Sequence, residues 1–294
     1  MQRDPSERRP IGGHVPVAGG LAAVGLRYAR SIGAEAVQVF VANPRGWATP
    51  PGNPAQDEAF AAACAAEGLP SYVHAPYLIN LGSHSADTAE RSVASLRHSL
   101  LRARAIGALG VVVHTGSATG GRPREVALEQ AGRLLRPLLA ELDRLEASGG
   151  AVPRLLLEPT AGQGFSLCSK IADLGPYLAA LEHHPRVGVC LDTCHVFAAG
   201  HDLAAPGGAT AALDELERVA GPGRLGLVHA NDSKAGAGSR LDRHQNVGAG
   251  AIGEAAFAEL LRHPATAGVP LVIETPGGAE GHAADIARLK ALHP

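Results

Sequence analysis

Eight times along this chain a short apolar run, rich in β-branched residues, gives way to a stretch of helical periodicity. The runs lie near His14–Val17, Ala36–Val41, Ser71–His74, Gly110–His114, Arg154–Glu158, Val187–Asp192, Arg224–His229 and Val269–Glu274. Helices are predicted between and after them, over Gly20–Ser31, Ala55–Glu67, Asp87–Ala108, Pro123–Ala147, Ile171–Glu182, Ala209–Val219, Glu254–Arg262 and Gly281–Leu292. Pro54 opens one of these, as proline does at a first helical turn. Asp87 followed by Glu90 resembles a capping box at the start of another. Regular alternation of strand and helix with short loops implies a parallel sheet covered by helices. Eight such units are the number that closes a (β/α)8 TIM barrel, an α/β fold. No linker interrupts the pattern, so residues 1–294 read as a single barrel domain, with residues 1–10 expected to be flexible.

Composition narrows what such a barrel can do. Lys+Arg is 26 and Asp+Glu is 28, a formal charge of −2, so no global basic field advertises nucleic acid. A site for a polyanion must then be a local patch or be made positive by bound metal. Cys64, Cys168, Cys190 and Cys194 form no C-x-x-C pair and no disulfide framework, and all four read as buried free thiols. The N-terminus lacks a signal-like apolar core, and no run approaches the ~18 residues of a membrane span. The expectation is a cytoplasmic protein with no membrane partner.

In such barrels the chemistry sits at the C-terminal ends of the strands. Six consecutive runs end there in a metal-capable side chain: His74, His114, Glu158, Asp192, His229 and Glu274. His195 follows Asp192 by three residues. Asp242 and His244 stand two apart in the glycine-rich loop after the seventh run, where an extended chain points both to one side. One rim histidine or glutamate is ordinarily just a hydrogen-bonded polar group. Nine on one face, four of them carboxylates that would repel one another, call for counter-cations. Nine donors exceed what one four-coordinate zinc needs, so a cluster of two or three metals is inferred. The remaining histidines, His84, His98, His183, His184, His201, His263, His282 and His293, are assigned to surface or loop positions.

These residues carry a resemblance. The segments 72–81 (YVHAPYLINL), 112–117 (VVHTGS), 156–164 (LLEPTAGQG), 188–202 (GVCLDTCHVFAAGHD), 229–234 (HANDSK), 242–253 (DRHQNVGAGAIG) and 272–276 (VIETP) closely resemble the endonuclease IV family of apurinic/apyrimidinic endonucleases. The likeness runs from about Ala36 to Glu274, and the D-T-C-H and D-R-H elements are its most specific parts. It implies a barrel with three zinc ions, with Mn2+ possible in part of the cluster. It implies cleavage of double-stranded DNA on the 5′ side of abasic sites, leaving a 3′-hydroxyl and a 5′ deoxyribose phosphate, by a monomer acting in base-excision repair. By the same resemblance His74, His114 and Glu158 hold one ion. Glu158 bridges to a second, completed by Asp192, His229 and Glu274, while His195, Asp242 and His244 hold the third. Glu158, or Glu274 beside it, is the candidate catalytic carboxylate that orients the attacking nucleophile.

Two further stretches match the family's DNA-contacting loops: Asn43–Trp47 (NPRGW), and Tyr77 with Leu78. Trp47 reads equally well as packing against the rim. An abasic nucleotide has no base to unstack, so its extrusion is less costly than that of a normal one. Arg45, Lys234, Arg240 and Arg243 are candidate phosphate contacts. Three positions depart from the family pattern: Pro159 where asparagine is more usual, Thr115 where proline is common, and Ala249 where glutamate is usual. None is expected to touch a predicted ligand. Two other functions compete, a divalent-metal sugar isomerase or epimerase on a related barrel, and a non-catalytic DNA-lesion-binding protein.

Overall fold

The structure, a computed structural model, describes residues 8–293. Its strands are β1 (Ile11–His14), β2 (Val37–Val39), β3 (Ser71–His74), β4 (Gly110–His114), β5 (Arg154–Glu158), β6 (Val187–Asp192), β7 (Leu225–His229), β8 (Asp232–Ser233), β9 (His244–Gln245) and β10 (Leu271–Ile273). Strands β1 to β7 and β10 are parallel to their neighbours and close into an eight-stranded barrel, β10 pairing with both β7 and β1. Helices α1 (Arg27–Ser31), α2 (Pro54–Glu67), α3 (Ala86–Ala105), α4 (Arg124–Ala147), α5 (Leu174–Ala180), α6 (Thr193–Ala198), α7 (Gly208–Ala220), α8 (Glu254–Arg262) and α9 (Gly278–Leu292) complete the fold. The short pair β8–β9 lies outside the barrel and is antiparallel.

Side chains alternate across a strand, and that period of two builds the interior. Ala36, Tyr72, Val112, Leu156, Cys190, Leu227 and Val272 form a buried cluster of their own. Two residues further along the same strands stand Gln38, His74, His114, Glu158, Asp192, His229 and Glu274. An apolar layer therefore fills the middle of the barrel, and a polar layer caps it at the C-terminal ends. The intervening residues, such as Val73, Val111, Val113, Leu155 and Leu157, face outward into the core shared with the helices.

The expected bounds of β3, β4, β5, β6 and α8 agree with those observed. Strand β1 does not: it spans Ile11–His14 rather than His14–Val17. The reason is steric. A Cβ on Gly12 would lie 1.7 Å from the Ala36 carbonyl oxygen, so β1 approaches β2 at a distance that only glycine permits. Helix α3 is capped by Ser85, which accepts from the Thr88 amide, rather than by Asp87. Helix α6 was not expected; Asp192 caps it through the His195 amide at 3.0 Å. Residues 1–7 of the segment expected to be flexible lie outside the described residues. Arg9 is buried, and its guanidinium donates to Thr266 Oγ1 at 3.0 Å and to the His263 carbonyl at 3.1 Å. His263 is itself buried, not a surface residue.

Candidate metal centre

The polar layer converges. His74 Nε2 and His114 Nε2 each lie 3.3 Å from Glu158 Oε2. His195 Nε2 lies 3.3 Å from Asp242 Oδ2, and His244 Nε2 lies 3.2 Å from Asp242 Oδ1. His229 Nδ1 stands 3.7 Å from Asp192 Oδ2 and 3.6 Å from Glu274 Oε2. Two donors at ~2.0–2.1 Å from one tetrahedral ion are roughly 3.3–3.4 Å apart, so these separations suit ligands sharing a cation. Donor atoms of His74, His114 and Glu158 all lie within 4.8 Å of one another, as do those of Asp192, His229 and Glu274. The third expected set is looser. His195 and His244 group with Asp192 within that distance, and Asp242 touches both histidines.

The hydrogen bonds orient the donors. Nδ1 of His74, His195 and His244 each donates to a backbone carbonyl, of Ala75 at 2.7 Å, Pro159 at 3.1 Å and Glu274 at 3.2 Å. A ring that donates through Nδ1 keeps its Nε2 lone pair for a ligand. His229 is reversed: Nε2 donates to Gln38 Oε1 at 2.9 Å and Nδ1 faces the carboxylates. Among the buried atoms without a hydrogen-bond partner are Glu158 Oε2 and His244 Nε2, both aimed into the cluster. Buried polar atoms are costly to leave unpaired, and a cation satisfies both. The residues present thus fit a metal cofactor.

Electrostatics point the same way. Burial, the largest single influence, would push Glu158 up, but His229, His114 and His195 overrule it and hold the carboxyl well below its ordinary range. Glu274 and Asp242 are lowered likewise: burial opposes, while His229 and His14 act on Glu274, and His195 and His244 act on Asp242. Burial would also strip protons from His195 and His244, yet Asp192 and Asp242 raise both, His244 to about 9. His229 is raised against burial by Cys190, Glu274 and Glu158. Protons that cling to three converging histidines occupy places a divalent cation can take. Cys190 and Cys194 also lie within reach, but burial pushes their thiols up to about 12 and about 11, which disfavours thiolate ligation.

Sequence reasoning missed an outer ring of residues. Gln38 is fully buried; its Nε2 donates to Glu274 Oε1 at 2.7 Å while its Oε1 holds His229. His14 Nδ1 stands 3.1 Å from Glu274 Oε1. Asn231 Nδ2 donates to Asp192 Oδ2 at 2.8 Å, and its Oδ1 accepts the Glu274 amide at 2.7 Å. The signal was available for Gln38, two residues beyond inward-facing Ala36. It was hidden for His14 by the misplacement of β1.

The comparisons with known proteins agree with this picture. Residues 26–292 match a family model described as "Xylose isomerase-like TIM barrel". A protein of Streptomyces coelicolor named "Probable endonuclease 4" is 68% identical over 285 residues, covering 97% of this chain and 95% of its own. The chain belongs to the endonuclease IV family. The crystal structure of endonuclease IV from Thermus thermophilus superposes with a TM-score of 0.82 at 36% identity, covering 96% of this chain and 98% of that one. A D-tagatose 3-epimerase-like protein reaches 0.73 at 16% identity, covering 96% of each chain, which is a likeness of fold alone. Family membership makes the chain an enzyme, a nuclease.

Of the residues expected to contact DNA, Tyr77 and Leu78 line a cavity together with His114. Arg45, Lys234, Arg240 and Arg243 are exposed, and none forms an ion pair with a carboxylate among the described residues. Tyr77 is 46% exposed; its ring stacks on His114 at 5.6 Å and meets His74 edge-on at 5.3 Å. Leu78 beside it is 37% exposed, and Trp47 is half-buried. Of the departures from the endonuclease IV pattern, Pro159 does touch a predicted ligand, contrary to expectation, but through its carbonyl to His195 Nδ1. Any residue at 159 supplies that carbonyl. Thr115 likewise touches a predicted ligand, its amide donating to the Glu158 carbonyl at 3.2 Å, a bond proline could not make, while its Oγ1 donates to the Cys168 carbonyl. Ala249 is exposed in a loop gathered by Asp232, which accepts from the amides of Gly248, Gly250, Ile252 and Gly253.

Proposed function

We propose that this protein is a zinc-dependent endonuclease that hydrolyses the phosphodiester 5′ to abasic sites in double-stranded DNA. The products are a 3′-hydroxyl and a 5′ deoxyribose phosphate, and the setting is base-excision repair in the cytoplasm by a monomer built as a single domain. The observation that carries the reading is the convergence of nine nitrogen and carboxylate donors at one end of the barrel, at spacings that suit shared cations. His74, His114 and Glu158 would hold one zinc, Glu158 with Asp192, His229 and Glu274 a second, and His195, Asp242 and His244 a third, with Mn2+ admissible in part of the set. Bound there, such ions supply an activated water and stabilise charge on the attacking and leaving oxygens.

The chain's own residues do the rest. Glu158, fully buried between the predicted sites, is held ionised by its histidine neighbours and orients the nucleophile, with Glu274 beside it. Arg45, Lys234, Arg240 and Arg243, without carboxylate partners among the described residues, receive backbone phosphates. Tyr77, Leu78 and Trp47 meet the duplex at the lesion.

The deciding experiment incubates metal-replete protein with a duplex carrying one abasic analogue resistant to β-elimination, with and without a strong chelator. Chelator-sensitive cutting 5′ to the lesion is expected, with Glu158→Gln lowering the rate at least ~100-fold. Salt-sensitive binding without cutting would select the lesion-binding alternative. One or two tightly bound ions instead of three, with no action on DNA, would favour the sugar isomerase.

A further inference from the structure

Two exposed apolar side chains at the mouth of the barrel, Tyr77 and Leu78, already have a place in the reading above. A third does not. Phe165, in the loop between β5 and α5, is 71% exposed, the most exposed large apolar side chain among the described residues. Water disfavours a bare phenyl ring, and folding has left this one without a ring partner among the described residues.

The loop that presents it is not slack. The Phe165 carbonyl accepts from the Ala118 amide at 2.8 Å, and the Leu167 amide donates to the Gly116 carbonyl at 2.9 Å. Ser117 and Ser166 form an antiparallel bridge between the two loops. At its base the loop is clasped by Thr160 Oγ1 and Ser166 Oγ, 2.7 Å apart, and by the Thr160 amide on the Cys168 carbonyl at 3.0 Å. Phe165 therefore stands on a tongue bonded to the loop at residues 116–118 and closed at its own base.

What the tongue faces is informative. Gln163 and Ser166, on either side of Phe165, line a cavity of about 390 Å³ together with Tyr77, Leu78 and His114. The cavity is thus continuous with the predicted metal centre. Across the tongue lies Arg240, whose Cγ would be 3.7 Å from a Cβ on Gly162. Its guanidinium forms no ion pair among the described residues. A flat apolar ring and a cation without a counter-charge flank one loop whose Gln163 and Ser166 line a polar cavity, and together they match the three parts of a nucleotide: base, phosphate and sugar.

We infer that Phe165 is a base-stacking platform, which takes the face of a nucleobase flanking the lesion while Arg240 receives the adjoining phosphate. This rests on the abasic-site reading of the chain and adds to it a substrate-binding residue beyond Tyr77 and Leu78. A stacking contact is tolerant of base identity but demands an aromatic face.

The test compares F165A, F165L and F165W with the wild type on the duplex carrying the abasic analogue, with 2-aminopurine placed in turn at each position flanking the lesion. Loss of one base–aromatic contact predicts a KM raised about tenfold in F165A, with kcat within about twofold. F165W should match the wild type and F165L should behave as F165A. At one flanking position, wild type and F165W should quench 2-aminopurine and F165A should not. Unfolding temperatures within about 2 °C of wild type would show that the fold is intact. A KM in F165A within about twofold of wild type, or full retention by F165L, overturns the inference while leaving the endonuclease reading in place. A wild-type protein that neither binds nor cuts this duplex overturns the parent reading, and this one with it.

Discussion

Replacing Gln38 by leucine removes one buried amide of similar size that makes two bonds to predicted ligands. Its Oε1 accepts from His229 Nε2 at 2.9 Å and its Nε2 donates to Glu274 Oε1 at 2.7 Å. With leucine there, the Nε2–H of His229, a fully buried side chain, loses its acceptor. Leaving such a donor unpaired costs about 1–3 kcal/mol. The ring can escape by moving its proton to Nδ1, which then cannot serve a metal, so either outcome weakens binding. Glu274 retains His14 Nδ1 at 3.1 Å, so its share of the loss is smaller. At ~1.4 kcal/mol per factor of ten, affinity for the ion that His229 and Glu274 share should fall by about 10- to 100-fold. Titration of the metal-free Gln38→Leu protein with zinc against a chromophoric chelator measures this directly. Since neither His74 nor His114 is bonded to Gln38, the ion expected between them should bind as in the wild type. If all ions bind as tightly as in the wild type, the argument that the amide fixes the His229 tautomer is wrong.

Two other perturbations test the cluster. In chelated protein, His244, raised to about 9, contributes stability that is complete below its unfolded value near 6.5 and is lost as pH rises through about 9. His195 and His229, raised too, act in the same sense, while the lowered carboxylates Glu158 and Glu274 contribute above about 4.5 and lose their contribution in acid. The unfolding temperature without metal should therefore fall between about pH 6.5 and about 9; a flat or rising profile would contradict the assigned charges. Asp232→Ala strips the shared acceptor from five backbone amides, those of Ser233, Gly248, Gly250, Ile252 and Gly253. It should cost about 3–4 kcal/mol in denaturant unfolding, and a loss below about 1 kcal/mol would show that water replaces the carboxylate without difficulty.

Much of this was legible because the two layers of the barrel share one period. A strand that sends Leu156 inward must send Glu158 inward too, and the same holds for Val112 with His114 and Cys190 with Asp192. Six ends could therefore be read without knowing any distance. What escaped lay where close packing overrides local pattern. Gly12 and Gly13 look like a turn, yet β1 uses Gly12 because β2 leaves no room for a Cβ. That error placed His14 at the start of a strand instead of its end. Helix α6 is six residues long, too short to show a period, and declares itself only through the Asp192 cap. Phe165 follows a family-like stretch, and nothing in its neighbours says that it points to solvent; exposure is set by loops brought together across the chain.

The layer of Ala36, Tyr72, Val112, Leu156, Cys190, Leu227 and Val272 makes the barrel a cup rather than a pipe. Its floor is buried and largely apolar, so ions and water enter by the doorway at the C-terminal ends, where Tyr77 and Leu78 line the cavities beside the predicted ligands. A duplex seated over that doorway would act as a stopper. Chelators should then strip the cations rapidly from the free protein and slowly from the protein with its substrate in place.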